Sequence, residues 1–279
     1  KDDVQFLIQD AKQQILRNYS DKDIIHIIIK NYKINNVNFD FLPTEINCNL
    51  LSLDIIFICL PKNLTRKLKE LFVKFNVSVN QISLSSYAKS LNYKSNFLTN
   101  ENTAFIDIGY NKTSIVYYKK NNISSFNVIT IGGNHITKDL SKILSVDLIT
   151  AEKIKLSFDK DENILNEKNL SVEFVQKIIF ARVEEILELC SVTINLNENI
   201  EQKEQFNMVL MGEGSKILDN KFKEKILFSK EINLIEETCL EICESAVKLS
   251  QGINKQEVVL IPKKQLKEGF FEKLFHIFS

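Results

Sequence analysis

Two apolar runs of strand length each end abruptly at glycine. Ala104-Phe105-Ile106-Asp107-Ile108 leads into Gly109, a polar turn at Tyr110-Asn111-Lys112, and a further strand from Thr113-Ser114. Met208-Val209-Leu210-Met211 leads into Gly212-Glu213-Gly214-Ser215 and a helix. A hairpin of the first kind can fold its backbone N–H groups around a phosphate while the aspartate holds Mg²⁺ through water. In the second, glycine lets backbone approach a ligand closely, and a helix start favours an anion. Taken singly, each also fits an ordinary turn, and an isolated GxGS has little specificity.

The rest of the chain narrows the setting. Its 279 residues suggest two or more domains. Hydrophobic residues make up 44% and charged residues 26%, and no apolar run reaches the ~18 residues of a membrane-spanning helix. Lys plus Arg equals Asp plus Glu at 36 each, so no whole-chain field draws it to nucleic acid, and no nucleic-acid partner is expected. Its cysteines (Cys48, Cys59, Cys190, Cys239, Cys243) form no CxxC pair, which argues against a disulfide framework or a zinc site. The histidines (His26, His135, His276) lie far apart without metal-ligand spacing. The chain starts at Lys1 without a secretory pattern, and the expectation is a cytoplasmic fragment of a longer protein.

Periodicity predicts a helix over residues 4–17, strands at Asp23 to Ile34 and Ser52 to Leu60, and, after Pro61, a helix carrying Leu64, Leu68, Leu71, Phe72 and Phe75 on one stripe. Residues 102–131 read as an antiparallel meander of three strands. Helical spacing returns at Ile136 to Leu144 and Val172 to Cys190, and a strand follows at Phe206 to Met211.

The order of the segments carries more than any one of them. The Asp107-Ile108-Gly109 hairpin is followed by Ile131-Gly132-Gly133-Asn134-His135-Ile136-Thr137-Lys138-Asp139-Leu140, then Ala151-Glu152-Lys153-Ile154-Lys155, then Ala181-Arg182-Val183-Glu184-Glu185-Ile186-Leu187-Glu188, then the Gly212 turn. This series resembles the actin-like ATPase superfamily and, within it, the FtsA family of bacterial cell-division proteins, over nearly the whole chain. The fold class so implied is α/β with an α+β insert: an actin-like, ribonuclease H-like fold with a 1C-type subdomain and a C-terminal amphipathic helix. The implied division is 1–78 for a partial 1C (SHS2-like) subdomain, 79–102 for a residual 1A segment, 103–147 and 206–252 for the two parts of 2A, 148–205 for 2B, and 253–279 for a linker and membrane-targeting helix.

The resemblance implies ATP and Mg²⁺ as cofactors. Asp107 and Gly109 would face Mg²⁺ and the phosphates, with Thr113 and Gly133 beside them; Gly212, Gly214 and Ser215 would lie against the nucleotide; Arg182 and Glu185 would sit near ribose or base. Tyr110, Asn111 and Glu213 stand where the family usually has further glycines, and the family's first phosphate hairpin would precede Lys1. No catalytic residue is expected, and at most a weak ATPase. Implied partners are the C-terminal tail of FtsZ, contacted from around 148–205, other division proteins through 1C, further copies of the chain in a polymer, and an anionic lipid membrane.

The C-terminal segment points to lipid without any family. At ~100° per residue, Phe270, Phe271, Leu274, Phe275, Ile277 and Phe278 fall within ~160°, with Glu272, Lys273, His276 and Ser279 opposite. Lys263, Lys264 and Lys267 precede it at the end of a polar linker, the layout of an interfacial helix aided by anionic lipid. A helix docked on the protein's own core is the alternative. The functional expectation is an adaptor at the inner face of the cell membrane at the division site, holding FtsZ filaments there. A pilus-assembly actin-like protein and a kinase of the same superfamily are the alternatives, and the terminal helix separates the three.

Overall fold

The computed structural model describes residues 2–43, 46–97, 101–157, 170–198, 206–218, 222, 231–252 and 256–258. The chain opens with helix α1 (Asp2–Asn18) and a three-stranded antiparallel sheet of order β2-β1-β3, where β1 is Lys22–Ile34, β2 Val37–Phe39 and β3 Leu51–Pro61. Asn35 and Asn36 turn β1 into β2 with φ of 50° and 68°, the left-handed pair of a tight hairpin that asparagine tolerates. Val4 and Ile8 of α1 pack on Ile27 and Ile29 of β1. Pro61 at φ −58° ends β3 and starts α2 (Lys62–Val73), because its ring presets helical φ and it has no N–H to give the sheet.

The predicted α2 helix forms, but its apolar stripe faces outward. Leu64, Leu71, Phe72 and Phe75 are all exposed, and Thr65 is the buried residue of the helix. Helical period fixes which side chains share a face; it does not say what covers that face.

The second sheet has the order β6-β5-β4-β7-β8, from β4 (Thr103–Ile108), β5 (Thr113–Lys119), β6 (Asn122–Ile129), β7 (Asn207–Met211) and β8 (Ile232–Leu234). β4, β5 and β6 form the expected antiparallel meander, while β7 and β8 join β4 in parallel. Both faces of β4 and β7 are covered, so alternate residues feed two cores. Ala104, Ile106, Ile108, Met208 and Leu210 pack under α4 (Gly133–Ile143), α5 (Leu148–Ser157) and α6 (Val172–Asn197). Phe105, Val209 and Met211 pack under α3 (Ser85–Phe97) and α7 (Cys239–Ser250). Each fully buried Ile, Phe or Met side chain contributes roughly 1.5 to 3 kcal/mol.

Local chemistry sets the helix starts. Ser171 caps α6 by accepting from Phe174 N at 3.2 Å. Thr238 and Glu241 form a reciprocal capping box on α7, with Thr238 N donating to Glu241 at 2.7 Å and Glu241 N to Thr238 at 3.3 Å.

The polar stretch after α7 is tied down where it is described. Ile29 N donates to Gln256 O and Val258 N to Ile27 O, each at 2.9 Å, so residues 256–258 clasp β1. His26, buried in β1, bonds Glu257 through Nδ1 at 2.7 Å and accepts from Leu84 N at Nε2. The amphipathic segment with Phe270, Phe271, Leu274, Phe275, Ile277 and Phe278 lies outside the described residues, as do Lys263, Lys264, Lys267 and His276. No helix among the described residues is long and apolar enough to cross a membrane.

Candidate functional site

The ends of β4 and β7 meet the start of α4. In the β4–β5 turn, Gly109 N donates to Lys112 O at 3.0 Å, while the amides of Tyr110, Asn111 and Lys112 donate to no backbone carbonyl among the described residues. Three such successive amides can converge on an anion. The turn's carbonyls serve α4 instead: Gly133 N bonds Gly109 O at 2.9 Å, and Asn134 N bonds Tyr110 O at 2.7 Å. Those first-turn amides of α4 are therefore already occupied, and anion-binding capacity passes to the hairpin. Thr113 is buried and its hydroxyl donates to Ile131 O at 2.7 Å, which makes it a brace between hairpin and α4.

The β7 turn closes against the same point. Gly212 adopts φ +89°, and a Cβ there would stand 2.2 Å from Asp107 Oδ1. A Cβ on Gly214 would meet Ile108 Cγ2 at 2.5 Å, so only glycine lets this turn lie on the end of β4. A Cβ on Gly133 would lie 3.8 Å from Gly214 Cα, which brings the two glycine segments into contact across the cleft. Glu213–Ser215 forms one 3-10 turn, and most of the residues beyond Leu218, where the sequence suggests a helix, lie outside the described residues. Ser215 is buried and donates to Gly212 O at 2.8 Å, again a brace. Glu213 points outward, exposed, and pairs with Lys216 at 2.6 Å, so its charge is held away from the cleft.

Asp107 shares the face of Phe105, because strand side chains alternate, and that face is covered by α3. It meets a buried lysine there. Lys89 Nζ lies 2.9 Å from Asp107 Oδ2 and 2.8 Å from Glu237 Oε2, with Lys89 and Glu237 side chains 3% and 2% exposed. Glu237 Oε2 also accepts from Gly212 N at 3.1 Å, which ties the second glycine turn to this cluster. Burial, reinforced by Glu237, Glu241 and Glu244, pushes the nearby Tyr93 hydroxyl up to about 12. Asp107 has one oxygen paired with an ammonium and the other lying against Gly212, so the role toward Mg²⁺ expected of it would have to compete with Lys89.

Further along α4, Arg182 of α6 grips Asp139 with Nε and Nη2 at 2.5 and 2.9 Å and reaches Glu185 at 2.5 Å. The hydrogen bond to Asp139 raises the guanidinium pKa above its ordinary value. Arg182 and Glu185 are thus brought together, held to α4 about two turns beyond Gly133. Two functional candidates were not singled out by sequence. Lys89 sits in a segment of no evident pattern. Lys155 is buried on α5 and donates to Gly133 O at 3.3 Å, Thr137 Oγ1 at 2.9 Å and Glu152 at 2.8 Å, so the AEKIK segment delivers a cation to the cleft's edge. A cavity of about 940 Å³ opens elsewhere, along Lys62, Arg66 and Lys69 of α2.

A mixed sheet in this order, with α3 and α7 on one face and α4 to α6 on the other, defines an actin-like ATPase fold. Two solved structures share it: the PilM-PilN type IV pilus biogenesis complex, with a TM-score of 0.55 at 13% identity over 85% of this chain and 63% of that one, and MreB5 of Spiroplasma citri bound to ADP, with a TM-score of 0.50 at 18% identity over 69% and 66%. Within that class, the family model for Cell division protein FtsA matches residues 104–251, more than half of the chain, and the chain belongs to the FtsA family. Cell division protein FtsA of Buchnera aphidicola subsp. Acyrthosiphon pisum is 26% identical over 305 residues, covering 99% of this chain and 72% of that protein. Its counterpart in the Schizaphis graminum subspecies is 24% identical over 261 residues, covering 84% and 62%. The chain thus spans about two thirds of the length of these relatives.

Proposed function

We propose that this chain works in cell division as a binding protein whose glycine cleft takes the phosphates of ATP. The observation that supports this is the meeting of three backbone segments, Gly109 to Lys112, Gly132-Gly133 and Gly212 to Gly214, with the amides of Tyr110, Asn111 and Lys112 left without backbone acceptors among the described residues. Backbone N–H groups are fixed dipoles that suit phosphate oxygens. Lys155, Glu152 and Thr137 border the cleft where a ribose would follow the phosphates. Arg182 and Glu185 are read as the outer rim of the same site.

Binding, not turnover, is the output of this site: any ATPase activity is weak, and no described side chain is assigned to activate water. In this reading residues 1–78 form the 1C-type module that meets other division proteins, the nucleotide-bound body polymerises, and the region 148–205 grips the FtsZ tail. The segment carrying Phe270 to Phe278 then holds FtsZ filaments at the inner face of the cytoplasmic membrane, with Lys263, Lys264 and Lys267 drawn to anionic lipid.

Calorimetric titration of ATP into the chain tests the nucleotide reading. Saturable binding at one site supports it. A folded protein that gives no binding heat and no competition against a fluorescent ATP analogue rejects it.

A further inference from the structure

We propose that the Lys89 ammonium stands in for a divalent cation between Asp107 and Glu237, so that the cleft's uptake of a nucleotide does not depend on Mg²⁺. The second half rests on the nucleotide reading above; the first half does not.

Three elements converge to build this position. Lys89 comes from α3, Asp107 from the end of β4, and Glu237 from the segment just ahead of the α7 cap. The ammonium is 2.8 to 2.9 Å from one oxygen of each carboxylate. That is slightly longer than the ~2.3 to 2.6 Å at which carboxylate oxygens hold Ca²⁺, so the two oxygens are already spaced as bridging ligands of one cation. A lysine there is a cationic group tethered to α3, which no chelator removes.

A free divalent ion has little to gain. It would need about six oxygen ligands and would have to expel a buried ammonium that has no other acceptor among the described residues. Asp107 Oδ1 lies against Gly212, whose φ of +89° and missing Cβ let the turn lie on the carboxylate. Two carboxylates face one ammonium, and Glu237 Oε1 is buried without a hydrogen-bond partner. Removing the lysine would therefore leave two adjacent carboxylates and a vacant volume, which is a divalent-cation site in waiting.

The experiment has two arms. In the first, thermal unfolding is followed with CaCl₂ or MgCl₂ against NaCl at matched ionic strength. The native chain shows no specific stabilisation, whereas Lys89→Ala unfolds earlier in EDTA and regains stability with Ca²⁺ or Mg²⁺. Specific stabilisation of the native chain, or a folded Lys89→Ala that gains nothing from either ion, overturns the proposal. In the second arm, ATP is titrated with EDTA and with MgCl₂. The native affinity agrees within about threefold, and a loss of tenfold or more without Mg²⁺ overturns the proposal.

Should Lys89→Ala fail to fold, Lys89→Ala with Glu237→Gln removes one charge of each sign and leaves Asp107 unpaired. Its ATP affinity becomes Mg²⁺-dependent; unchanged independence of Mg²⁺ overturns the proposal. Absence of ATP binding under both conditions rejects the nucleotide reading alone, and the cation arm then decides the role of Lys89.

Discussion

Gly132 sits so close beneath the β4–β5 turn that a methyl on its Cα would stand 2.4 Å from the carbonyl oxygen of Gly109. Its neighbour differs: a Cβ on Gly133 meets nothing nearer than 3.7 Å. The two adjacent glycines therefore separate fold from function. Gly132→Ala should destabilise by about 1 to 3 kcal/mol, because backbone on both sides must move. Gly133→Ala should leave the melting temperature unchanged yet weaken ATP binding, since its methyl projects between the two glycine turns. Thermal melts and ATP titrations of both variants check this, and equal melting temperatures would contradict it.

Lys89→Met should cost about 3 to 5 kcal/mol, because it leaves the buried Glu237 and the partly buried Asp107 without their shared cation. Adding Glu237→Gln to it should recover part of the loss by removing one of the two stranded charges. Urea unfolding of single and double variants measures this. A single variant within about 1 kcal/mol of the native chain would show that water already screens the cluster.

Glu198, at the end of α6, joins the two sheets through Lys30 of β1 and Lys119 of β5. Burial alone would raise its pKa, but hydrogen bonds from Lys119 and Ser124 and the charges of Lys30 and Lys119 hold it below its ordinary value of 4.5. A carboxyl lowered on folding binds fewer protons in the native state than in the unfolded one. Its stabilisation is complete above pH 4.5 and is lost as pH falls through the lowered native value. Glu198→Gln should therefore be less stable than the native chain near neutrality, and the gap should close in acid. Unfolding curves at a series of pH values test it; a gap that stays constant would contradict it.

Much of the fold is legible in the sequence because the strands are buried on both faces and end at glycine. Ala104 to Gly109 and Met208 to Gly214 announce themselves by apolar continuity and then by a residue that only close backbone approach requires. The order of the glycine segments identifies their convergence. What escaped is tertiary by nature. The alternation that puts Asp107 on the α3 face also hands it to Lys89, and no local pattern marks a lysine as the partner of a carboxylate 18 positions ahead and another 148 positions away. Likewise, the exposed stripe of α2 and the clasp of residues 256–258 on β1 depend on what lies alongside, not on period. Tyr110 and Glu213, which look obstructive in sequence, are exposed and leave the cleft's backbone accessible.

The terminal segment yields a prediction from sequence alone. Phe271→Glu with Phe275→Glu places two charges inside the apolar arc, and each phenylalanine buried in lipid is worth roughly 1.5 to 3 kcal/mol. The double variant should no longer sediment with anionic liposomes while unfolding at the native temperature. Raised salt should weaken the native protein's binding by screening Lys263, Lys264 and Lys267. Sedimentation that persists in the double variant would mean that lipid binding resides elsewhere.

Because the proposed ligands are backbone amides, hydrogen exchange with and without saturating ATP reads those contacts themselves. Exchange should slow in peptides covering 109–113 and 212–216, with Tyr110, Asn111 and Lys112, whose amides meet no backbone acceptor among the described residues, changing most. Protection absent from both turns, or confined to the cavity along α2, would contradict it.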